Sequence, residues 1–435
     1  MSKFQPYKIM HVQLEKPLEE TGLFNLDVET RYYCVFWWKE IPLGHLFLEC
    51  KTVLSQHELL SKIISVIEPV TDNYLRSGKV KVSQYKTVFT EGNHPGFMEM
   101  MDRIFSPYIS DDMPARLDMS VVICTRNRSS LLKRCLETLG NQRCAPSEII
   151  VVDNAPTDES TRKIVEHFEG ITYCREPRPG LDIARNTGAK KADYSIVAYI
   201  DDDVILHPLW SYRVWKAFED PAIQAMTGLV IASSLDTESQ QTFEKYWSFN
   251  RGYKEVLYNQ GFFRESLQSG PPVWEIGAGA NMAFRKEIFA KVGHFDERLD
   301  VGAAGCSGDS EMWFRILARG YDIFYCPRAV VYHEHRKQLE ALNKQLFNYM
   351  RGFAAAALIQ QEQNEQAGYR KHLYHEMPVY YLRLLAKGFP LYHSRYRTLF
   401  SEISGFISGI VYFRKSHSKP SHIHSYHRKS QNPIY

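Results

Sequence analysis

Short runs of apolar residues alternate with amphipathic stretches between positions 120 and 200, and this alternation restricts the fold more than any other feature of the chain. The apolar runs occupy 121–123, 149–152, 171–173 and 196–200, and the stretches between them occupy 129–140, 158–168 and 180–191. Such runs are typical of strands buried on both faces, and the amphipathic stretches are typical of the helices that cover them. The pattern predicts βαβ units and an α/β fold whose mostly parallel sheet carries helices on both faces.

Polar residues follow three of these predicted strands. The ligand crevice of such a sheet lies at the carboxyl ends of its strands, so residues there are the first candidates for function. They are Thr125, Arg126, Asn127 and Arg128 after the first run, Asp153 and Asn154 after the second, and Asp201, Asp202 and Asp203 after the fourth. Three strand ends thus bring acids, amides and arginines to one edge of the sheet.

The triplet Asp201, Asp202 and Asp203 indicates a divalent cation. Three adjacent carboxylates repel one another, and hard oxygen ligands suit Mg²⁺ or Mn²⁺, which usually coordinate substrate phosphates as well. His333 follows another predicted strand and could offer an imidazole to the same ion, although His335 leaves the choice of histidine open. A solvated turn or a helix N-cap is the alternative explanation of the triplet.

Asp309 precedes an amphipathic helix that is predicted from the spacing of Met312, Trp313, Ile316 and Leu317. The helix dipole favours a charged carboxylate at this position. A carboxylate that reaches a substrate proton can act as a general base, and an ordinary N-cap is the alternative.

Two further segments supply candidates for the crevice. Gly279, Ala280 and Asn281 lie in a run of small residues, where the backbone can approach a ligand closely. Arg185 and Asn186 lie in the third predicted helix and face either the crevice or the surface.

Several function classes are disfavoured by the motifs that the chain lacks. No GxGxxG follows the first strand and no GxxxxGKS or GxxxxGKT occurs, which argues against nicotinamide enzymes and P-loop nucleotidases. The absence of HExxH and GxSxG weakens metalloprotease and hydrolase interpretations. The net charge of +3 is too balanced for a protein that binds nucleic acid mainly by neutralising phosphates, so no nucleic-acid partner is expected.

Cysteine usage and hydropathy predict a cytoplasmic protein. The eight cysteines include no CxxC pair, and several lie inside apolar runs, as in proteins of a reducing compartment. The first residues lack the uninterrupted apolar segment of a secretory signal. No window reaches the roughly 18 uncharged apolar residues that span a bilayer.

Seven segments of the chain carry a family resemblance. They are SVVICTRNR at 120–128, EIIVVDNAPTD at 148–158, RPGLDIARNTGAKKA at 178–192, IVAYIDDDV at 196–204, GAGANMAFRKEIFAKVGHFDE at 277–297, GDSEMWFRILARGY at 308–321 and VVYHEH at 330–335. In this order and spacing they resemble the family 2 glycosyltransferases, inverting enzymes of the GT-A fold that use nucleotide sugars. The resemblance covers about residues 120–336.

The resemblance implies a nucleotide-sugar donor, with UDP-sugars favoured, and a divalent cation as cofactor, Mg²⁺ or Mn²⁺. The cation would bridge the donor diphosphate and would be held by Asp203, with Asp201 and His333 as further ligands. The nucleotide-sugar site would comprise Thr125, Arg126, Asn127, Arg128, Asp153, Arg185, Asn186, Asp201 and Asp202.

The resemblance also implies an inverting reaction. Asp309 corresponds to the expected base, which takes a proton from an acceptor hydroxyl, and Gly279, Ala280 and Asn281 correspond to a loop beside the acceptor or the donor sugar. The function implied is transfer of a single sugar to a carbohydrate or lipid-linked acceptor, in polysaccharide or glycolipid assembly.

The chain departs from the family at two points. The family often has Glu-Asp where this chain has Gly308-Asp309, and no Gln-x-x-Arg-Trp motif follows Asp309. A processive synthase is therefore not expected. A sugar nucleotidyltransferase or retaining transferase on a similar sheet, and a catalytically silent nucleotide- or sugar-binding protein, are the alternatives.

The chain is predicted to contain a small N-terminal accessory α/β domain (1–117), a GT-A domain (118–336), a helical C-terminal region (337–413) and a basic, disordered tail (414–435). In the N-terminal domain, residues 31–49 predict two strands around a turn at 42–44, and the apolar spacing at 59–67 predicts a helix.

The C-terminal region suggests a peripheral membrane contact. Residues 399–413 are largely apolar, and the tail after them carries five Lys/Arg and no acidic residue. Such a pairing could lie on an anionic membrane surface and bring the protein to a lipid-linked acceptor. A last packed helix followed by a disordered tail is the alternative.

Overall fold

The computed structural model describes residues 4–78, 84–109 and 112–417, and within these ranges twelve strands form two sheets. The strands are β1 (Tyr7–Gln13), β2 (Arg31–Trp38), β3 (Ile41–Leu48), β4 (Arg116–Thr125), β5 (Ala145–Asn154), β6 (Ile171–Glu176), β7 (Ile196–Asp201), β8 (Val204–Leu206), β9 (Ile223–Ala232), β10 (Val256–Tyr258), β11 (Asn281–Arg285) and β12 (Asp322–His333).

The α-helices cover both faces of the larger sheet and form most of the C-terminal region. They are α1 (Gln56–Gly78), α2 (Tyr85–Thr90), α3 (His94–Phe105), α4 (Ser129–Gly140), α5 (Ser160–Val165), α6 (Leu181–Lys191), α7 (Trp210–Ala217), α8 (Glu238–Trp247), α9 (Gln260–Ser266), α10 (Ile288–Val292), α11 (Gly308–Ala318), α12 (Leu339–Gln363), α13 (Tyr369–Lys371), α14 (Met377–Gly388) and α15 (Leu399–His417).

The larger sheet runs in the order β10-β12-β9-β11-β7-β4-β5-β6, with β8 paired to β12. The strands β4, β5, β6 and β7 are mutually parallel and β12 is parallel to β9, whereas β8, β10 and β11 run antiparallel to their neighbours. The predicted mostly parallel α/β fold is confirmed. Helix α5 is shorter than the predicted stretch 158–168.

Alternate residues of the central strands pack on opposite faces of this sheet. Val121 and Ile123 of β4 pack with Leu132 of α4, whereas Val122 between them packs with Ala184 of α6. Because successive side chains of a strand point to opposite faces, a continuous apolar run requires helices on both sides. The apolar runs of the sequence therefore correspond to strands buried between two helical layers.

The predicted turn at 42–44 is wrong. The chain reverses at Lys39, which has a φ of 52°, and residues 42–44 lie inside β3. Phe36 pairs with Gly44 and Trp37 with Pro42, so one extra residue forms a bulge on β3. Proline is tolerated at a bulge because the regular ladder of hydrogen bonds is interrupted there.

The N-terminal sheet, β1-β2-β3, shares a hydrophobic core with the larger sheet. Tyr33 of β2 and Ile63 of α1 lie in one buried cluster with Leu229 and Ile231 of β9. The backbone N–H of Tyr7 also donates to the carbonyl of Leu235, at 3.2 Å. The N-terminal elements are thus packed against the sheet rather than separated from it.

The C-terminal region is built on the long helix α12, against which α15 packs. Two glycines of α15 permit close approach: a Cβ added at Gly405 would lie 2.2 Å from the carbonyl oxygen of Phe347, and one at Gly409 would lie 2.3 Å from that of Arg351. Across the described part of the chain, no helix has the length and apolar character needed to cross a bilayer. The predicted tail begins inside α15, and its residues 418–435 lie outside the described residues.

Candidate active site

The acidic triplet ends strand β7 at the carboxyl edge of the larger sheet, and its members have different partners. Asp202 accepts hydrogen bonds from Thr125 Oγ1 at 2.6 Å and from Arg128 Nη1 at 2.5 Å. Asp203 accepts from the other guanidinium nitrogen of Arg128 through Oδ2. We call Asp201, Asp202 and Asp203 the acidic cluster.

His333 reaches the acidic cluster because of the short strand β8. This strand starts directly after Asp203 and pairs antiparallel with the end of β12, with Val204 opposite His333. The Nε2 atom of His333 consequently lies 3.5 Å from Asp203 Oδ1. One ligand atom each from Asp201, Asp203 and His333 lies within 4.8 Å of the others.

The protonation states of these groups suit a divalent cation. Burial lowers the pKa of His333 to about 4, so its imidazole is neutral at neutral pH and can offer a lone pair. Burial and the charge of Asp203 raise the pKa of Asp201 to about 7. Burial also raises the pKa of Asp202 to about 6, against the opposing charge of Arg128. Excess negative charge is therefore concentrated where a cation would relieve it.

One oxygen atom of this cluster is the strongest candidate to coordinate a divalent cation. Asp203 Oδ1 is buried and has no hydrogen-bond partner among the residues that the structure describes. Burial opposes the charge of Asp203, but the charged groups around it, Arg128 among them, hold its pKa below the ordinary value. A buried, ionised and unpartnered oxygen is costly unless a cation coordinates it. The donor set of two carboxylates and one imidazole therefore fits Mg²⁺ or Mn²⁺.

Asp309 lies in the first turn of α11, where two backbone groups hold its carboxylate. Its Oδ2 accepts from the N–H of Gly279 at 2.7 Å, and its Oδ1 accepts from the N–H of Ser310 at 2.7 Å. Burial raises the pKa of Asp309, while the charge of Arg185 acts in the opposite direction. The side chain is thus oriented at the same edge of the sheet as the acidic cluster.

Gly279 is the position in the small-residue run that most requires glycine. A Cβ there would lie 2.6 Å from Arg185 Nη2 and 3.3 Å from Asp309 Oδ2. The absence of a side chain lets the backbone N–H reach Asp309 and brings Arg185 close to it.

Arg185 is buried and neutralises a second group of acids. Its Nη1 donates to Asp182 Oδ1 at 2.9 Å and to Asp300 Oδ2 at 2.6 Å. Its charge also lowers the pKa of Asp309 and of Asp201, so it acts on both acidic groups. We call Arg185, Asp182, Asp300 and Asp309 the Arg185 cluster.

Asp153 forms a separate polar position near the end of β5. Its Oδ2 accepts from the hydroxyl of Tyr173 at 2.9 Å, and its buried Oδ1 makes no hydrogen bond of ordinary length to a described residue. Burial raises the pKa of Asp153 above its ordinary value, while the nearby hydroxyls of Tyr173 and Thr161 act in the opposite direction. The Oδ1 acceptor at this strand end can receive an N–H from a bound base.

Arg126 and Asn127 are exposed beyond the end of β4. Asn127 has a φ of 55°, and its Oδ1 accepts from the N–H of Thr157 at 3.0 Å. This bond connects the loop after β4 to the loop after β5.

Three predicted site residues, Asn186, Asn281 and Ala280, have their side chains inside the protein rather than in the crevice. Asn186 exchanges two hydrogen bonds of 2.9 Å with the backbone of Phe295. Asn281 accepts from Trp210 Nε1 at 2.9 Å and donates to two backbone carbonyls. Ala280 is buried in the core beneath the sheet edge. These contacts hold the walls of the crevice, and the structure does not bring the two amides into the crevice itself.

Sequence reasoning missed Asp182, Asp300 and Tyr173. Asp182 lies three residues before Arg185 in a predicted helix, and this spacing is a signal for an ion pair. Asp300 follows no periodic element, and its partner lies far away in the sequence, so the sequence carried no comparable signal for it.

Comparison with known proteins connects this geometry to a family. The family model described as Glycosyl transferase family 2 matches residues 120–293. The chain is 26% identical to the chondroitin synthase of Escherichia coli over 253 residues, covering 52% of this chain and 36% of the relative. It is also 26% identical to the pre-mycofactocin glycosyltransferase of Mycobacterium tuberculosis (strain ATCC 25618 / H37Rv) over 228 residues, covering 52% of this chain and 44% of the relative. The chain thus spans less than half the length of either relative.

A mannosyltransferase from Pyrobaculum calidifontis, solved in complex with GDP-Man and Mn²⁺, aligns with 74% of this chain and 95% of its own length, at 18% identity and a TM-score of 0.44. The resemblance inferred from the seven segments is confirmed by the family match over residues 120–293.

Proposed function

Residues 120–293 form a glycosyl transferase family 2 domain, and from this we propose that the protein is a metal-dependent, inverting glycosyltransferase. It moves a single sugar from a nucleotide sugar to an acceptor hydroxyl in polysaccharide or glycoconjugate synthesis. The observation that supports this most strongly is the placement of Asp309 and of the Asp201, Asp203 and His333 group at one sheet edge. The names of the two curated relatives, a synthase of a polysaccharide and a glycosyltransferase, agree with it.

In the proposed reaction, Asp309 takes the proton of the acceptor hydroxyl. The acceptor oxygen forms a bond to the anomeric carbon on the face opposite the leaving group, and the bond from that carbon to the diphosphate oxygen breaks. The electron pair of this bond departs with the nucleoside diphosphate, and the anomeric configuration inverts. The backbone N–H groups of Gly279 and Ser310 hold the carboxylate of Asp309 in position.

Asp201, Asp203 and His333 would hold Mg²⁺ or Mn²⁺. When bound, such a cation offsets the negative charge of the diphosphate. Arg128, which already binds Asp202 and Asp203, adds a positive charge beside the same position.

We propose a UDP-sugar as the donor. The uracil base carries one N–H on its pairing edge, and Asp153 presents one buried oxygen that makes no hydrogen bond of ordinary length to a described residue. A buried acceptor gains most from a donor that satisfies it. The acceptor is proposed to be a carbohydrate or a lipid-linked sugar.

The test is a panel of nucleotide sugars with UDP and GDP carriers, each with Mn²⁺ or EDTA. Release of nucleoside diphosphate is followed for each donor, and the anomeric configuration of the product is read from its NMR coupling constant. We expect release with a UDP-sugar, abolished by EDTA, and an inverted product. A retained configuration supports the retaining alternative, and release of pyrophosphate from a sugar phosphate and a nucleoside triphosphate supports the nucleotidyltransferase. Absence of every reaction, together with tight binding, supports the silent binding protein.

We further propose that the C-terminal helices contact an anionic membrane surface on its cytoplasmic side. Large apolar side chains are exposed along α14, α15 and the segment between them, among them Leu382, Phe389 (73% exposed), Leu391, Phe400 and Ile407. The rings of Phe400 and Tyr392 lie 5.2 Å apart, so the tip of this surface is continuous across the segment and α15. Exposed apolar area of this kind marks an interaction site.

The charge around this apolar surface favours lipid as its partner. Residues 377–417 contain six Lys/Arg and one acidic residue, Glu402. Glu402 is buried against Arg395, so the exposed charge of the region is positive. Apolar side chains bordered by basic ones are typical of surfaces that bind anionic headgroups.

Liposome co-sedimentation tests this contact. We expect binding to vesicles that contain phosphatidylglycerol, weaker binding at high salt, and loss of binding in the double variant Leu391→Asp, Phe400→Asp. The double variant Val28→Asp, Val53→Asp adds the same two charges at exposed apolar residues of the N-terminal region and is the matched control. If the variant Leu391→Asp, Phe400→Asp instead converts a dimer to a monomer in light scattering, a second copy of the chain covers this surface.

A further inference from the structure

A line of buried polar side chains leads from the N-terminal sheet to the acidic cluster. The Nδ1 atoms of His333 and His335 lie 3.1 Å apart, and His335 Nε2 lies 2.8 Å from Glu244 Oε2. Tyr33 of β2 donates its hydroxyl to Glu244 Oε1 at 3.4 Å. His333 ends β12, His335 follows it by two residues, Glu244 lies in α8 and Tyr33 in the N-terminal β2, and all four side chains are buried.

The direction of these hydrogen bonds follows from the carboxylate at one end. An ionised carboxylate only accepts, so His335 must donate to Glu244 from Nε2. In the His335 tautomer that carries its proton on Nε2, Nδ1 is an acceptor, and His333 donates to it from its own Nδ1. The remaining nitrogen of His333, Nε2, keeps its lone pair and faces Asp203 at 3.5 Å. Neutral imidazole binds a metal through such a lone pair.

Aromatic rings fix the planes of both imidazoles. The ring of Phe249 meets His333 edge-on at 5.2 Å between centroids, and Phe243 lies 4.6 Å from His335. Phe243 immediately precedes Glu244 in α8, so one helix supplies both the packing and the hydrogen-bond acceptor. With the rings held in these orientations, Nε2 of His333 stays toward Asp203, and the position of the ring proton decides whether that atom presents a lone pair or an N–H.

We propose that Glu244 is a positioning residue that sets the tautomer of His333 through His335, so that the Nε2 lone pair points at the acidic cluster. The inference rests on the metal site of the proposed function. It gives the N-terminal sheet a role in that site, since Tyr33 orients the carboxylate of Glu244. Partners behind a metal-binding histidine typically change metal affinity or activity by roughly 10-fold to 100-fold when removed.

The first test reads the tautomer without any metal. In protein labelled with ¹⁵N at histidine, the ring-nitrogen shifts of metal-free wild type should show His333 protonated at Nδ1 and bare at Nε2. Glu244→Gln keeps the size of the side chain, but its amide can donate as well as accept, so His333 should show a mixture of both tautomers. Glu238→Gln removes the same charge from an exposed site on the same helix and should leave the wild-type spectrum unchanged.

The second test measures Mn²⁺ affinity by calorimetry in the same three proteins. Glu244→Gln should bind Mn²⁺ roughly 10-fold to 100-fold more weakly than wild type, and Glu238→Gln should match wild type. A melting curve of each protein identifies loss of the fold. His335→Gln, which removes the relay at its centre, should weaken Mn²⁺ binding by a similar factor if Glu244→Gln proves unstable.

The outcomes separate this inference from the proposed function. Wild-type His333 protonated at Nε2, or unchanged tautomer and Mn²⁺ affinity in Glu244→Gln, overturns the role of Glu244 and leaves the metal site standing. Absence of Mn²⁺ binding in wild type overturns the metal site, and the role of Glu244 with it, whatever the tautomer is.

Discussion

The acidic cluster and the Arg185 cluster both place three aspartates at one edge of the sheet, but they balance the negative charge differently. In the Arg185 cluster a buried guanidinium bonds to Asp182 and Asp300, and two backbone N–H groups hold Asp309. Asp182 Oδ2 has no hydrogen-bond partner among the described residues, but burial raises the pKa of Asp182 well above its ordinary value, which favours the neutral carboxyl. In the acidic cluster Arg128 bonds to Asp202 and to one oxygen of Asp203, whose pKa lies below its ordinary value, and the other oxygen of Asp203 has no hydrogen-bond partner in the described part of the chain.

The difference separates a preformed site from one completed by its ligand. A carboxylate cluster whose cation belongs to the protein is stable alone, because its charges are paired in every state. A cluster in which a buried, ionised carboxylate keeps one oxygen unpaired is stabilised when a cation arrives, and it therefore couples stability to binding. We assign the Arg185 cluster to orientation of a base and the acidic cluster to binding of a metal and its diphosphate.

The largest effect is expected from Asp309→Asn. Asparagine keeps the shape of the side chain but cannot take a proton, so the transfer rate should fall by roughly 10²-fold to 10⁴-fold. Donor affinity should stay near that of wild type, because the acidic cluster is unchanged. Initial rates, donor affinity by calorimetry and melting temperature are measured on one preparation.

Two results would contradict this role of Asp309. A rate near that of wild type would require another base, and Glu311 is the nearest acid on α11, although it is bonded to Arg315. Loss of donor binding together with early melting would make Asp309 structural. In wild type the rate should also fall as pH decreases through the pKa of Asp309, which burial holds above its ordinary value. Protonated Asp309 cannot accept a proton, so its contribution to the acid limb should be absent from the variant, whereas protonation of Asp201, with a pKa of about 7, should still lower the rate.

The next largest effect is expected on stability, when each of the two arginines is replaced. Arg185→Met leaves two buried carboxylates without their cation and should cost about 3–5 kcal/mol of stability. Arg128→Met should cost less, because Arg128 is partly exposed, and added Mn²⁺ should restore its melting temperature. Mn²⁺ should not rescue Arg185→Met. If Mn²⁺ restored the melting temperature of both variants equally, the proposed difference between the two clusters would be wrong.

The elements that carry both clusters could be predicted from the sequence, because buried parallel strands and their covering helices have distinct periods. The predicted boundaries at Thr125 and Asp201 match the ends of β4 and β7. The contact of Asp203 with His333 could not be predicted from local pattern, because it depends on β8, a strand of three residues, pairing with β12. The place of His333 after a predicted strand made it a candidate ligand, and the family resemblance supported it, but the sequence left His335 as an equal alternative.

Tertiary contacts explain the remaining differences. Asn281 was expected beside the acceptor or the donor sugar because it lies in a run of small residues, but Trp210 and two carbonyls satisfy its polar atoms inside the core. The turn expected at Pro42 moved to Lys39 because a bulge accommodates the proline within β3. In both cases a distant partner decided the outcome, and a single sequence does not identify that partner.

A smaller effect, on Mn²⁺ affinity, should distinguish Asp203 from Asp202 within the acidic cluster. Asp203→Asn removes a charged ligand and should weaken Mn²⁺ binding by at least the roughly 10-fold to 100-fold seen when an outer partner is lost. Asp202→Asn should weaken it less, since both oxygens of Asp202 are already bonded to Thr125 and Arg128. Calorimetry with Mn²⁺ and UDP, repeated with EDTA, measures the difference. Equal losses would mean that the triplet acts only through its total charge.

The smallest effect is expected at Asp153, where one carboxylate contains both kinds of oxygen: Oδ2 is bonded to Tyr173, and Oδ1 makes no hydrogen bond of ordinary length to a described residue. Tyr173→Phe removes the bond that orients the carboxylate and leaves Oδ1 in place. A neutral hydrogen bond contributes about 0.5–1.5 kcal/mol, so UDP affinity should fall roughly two-fold to ten-fold. GDP affinity should change less, because its guanine presents a different pairing edge to Asp153. Parallel titrations of UDP and GDP give the ratio of their affinities, with the melting temperature as the control for folding. If both affinities fall by the same factor, Tyr173 supports the site as a whole and Asp153 does not select the base.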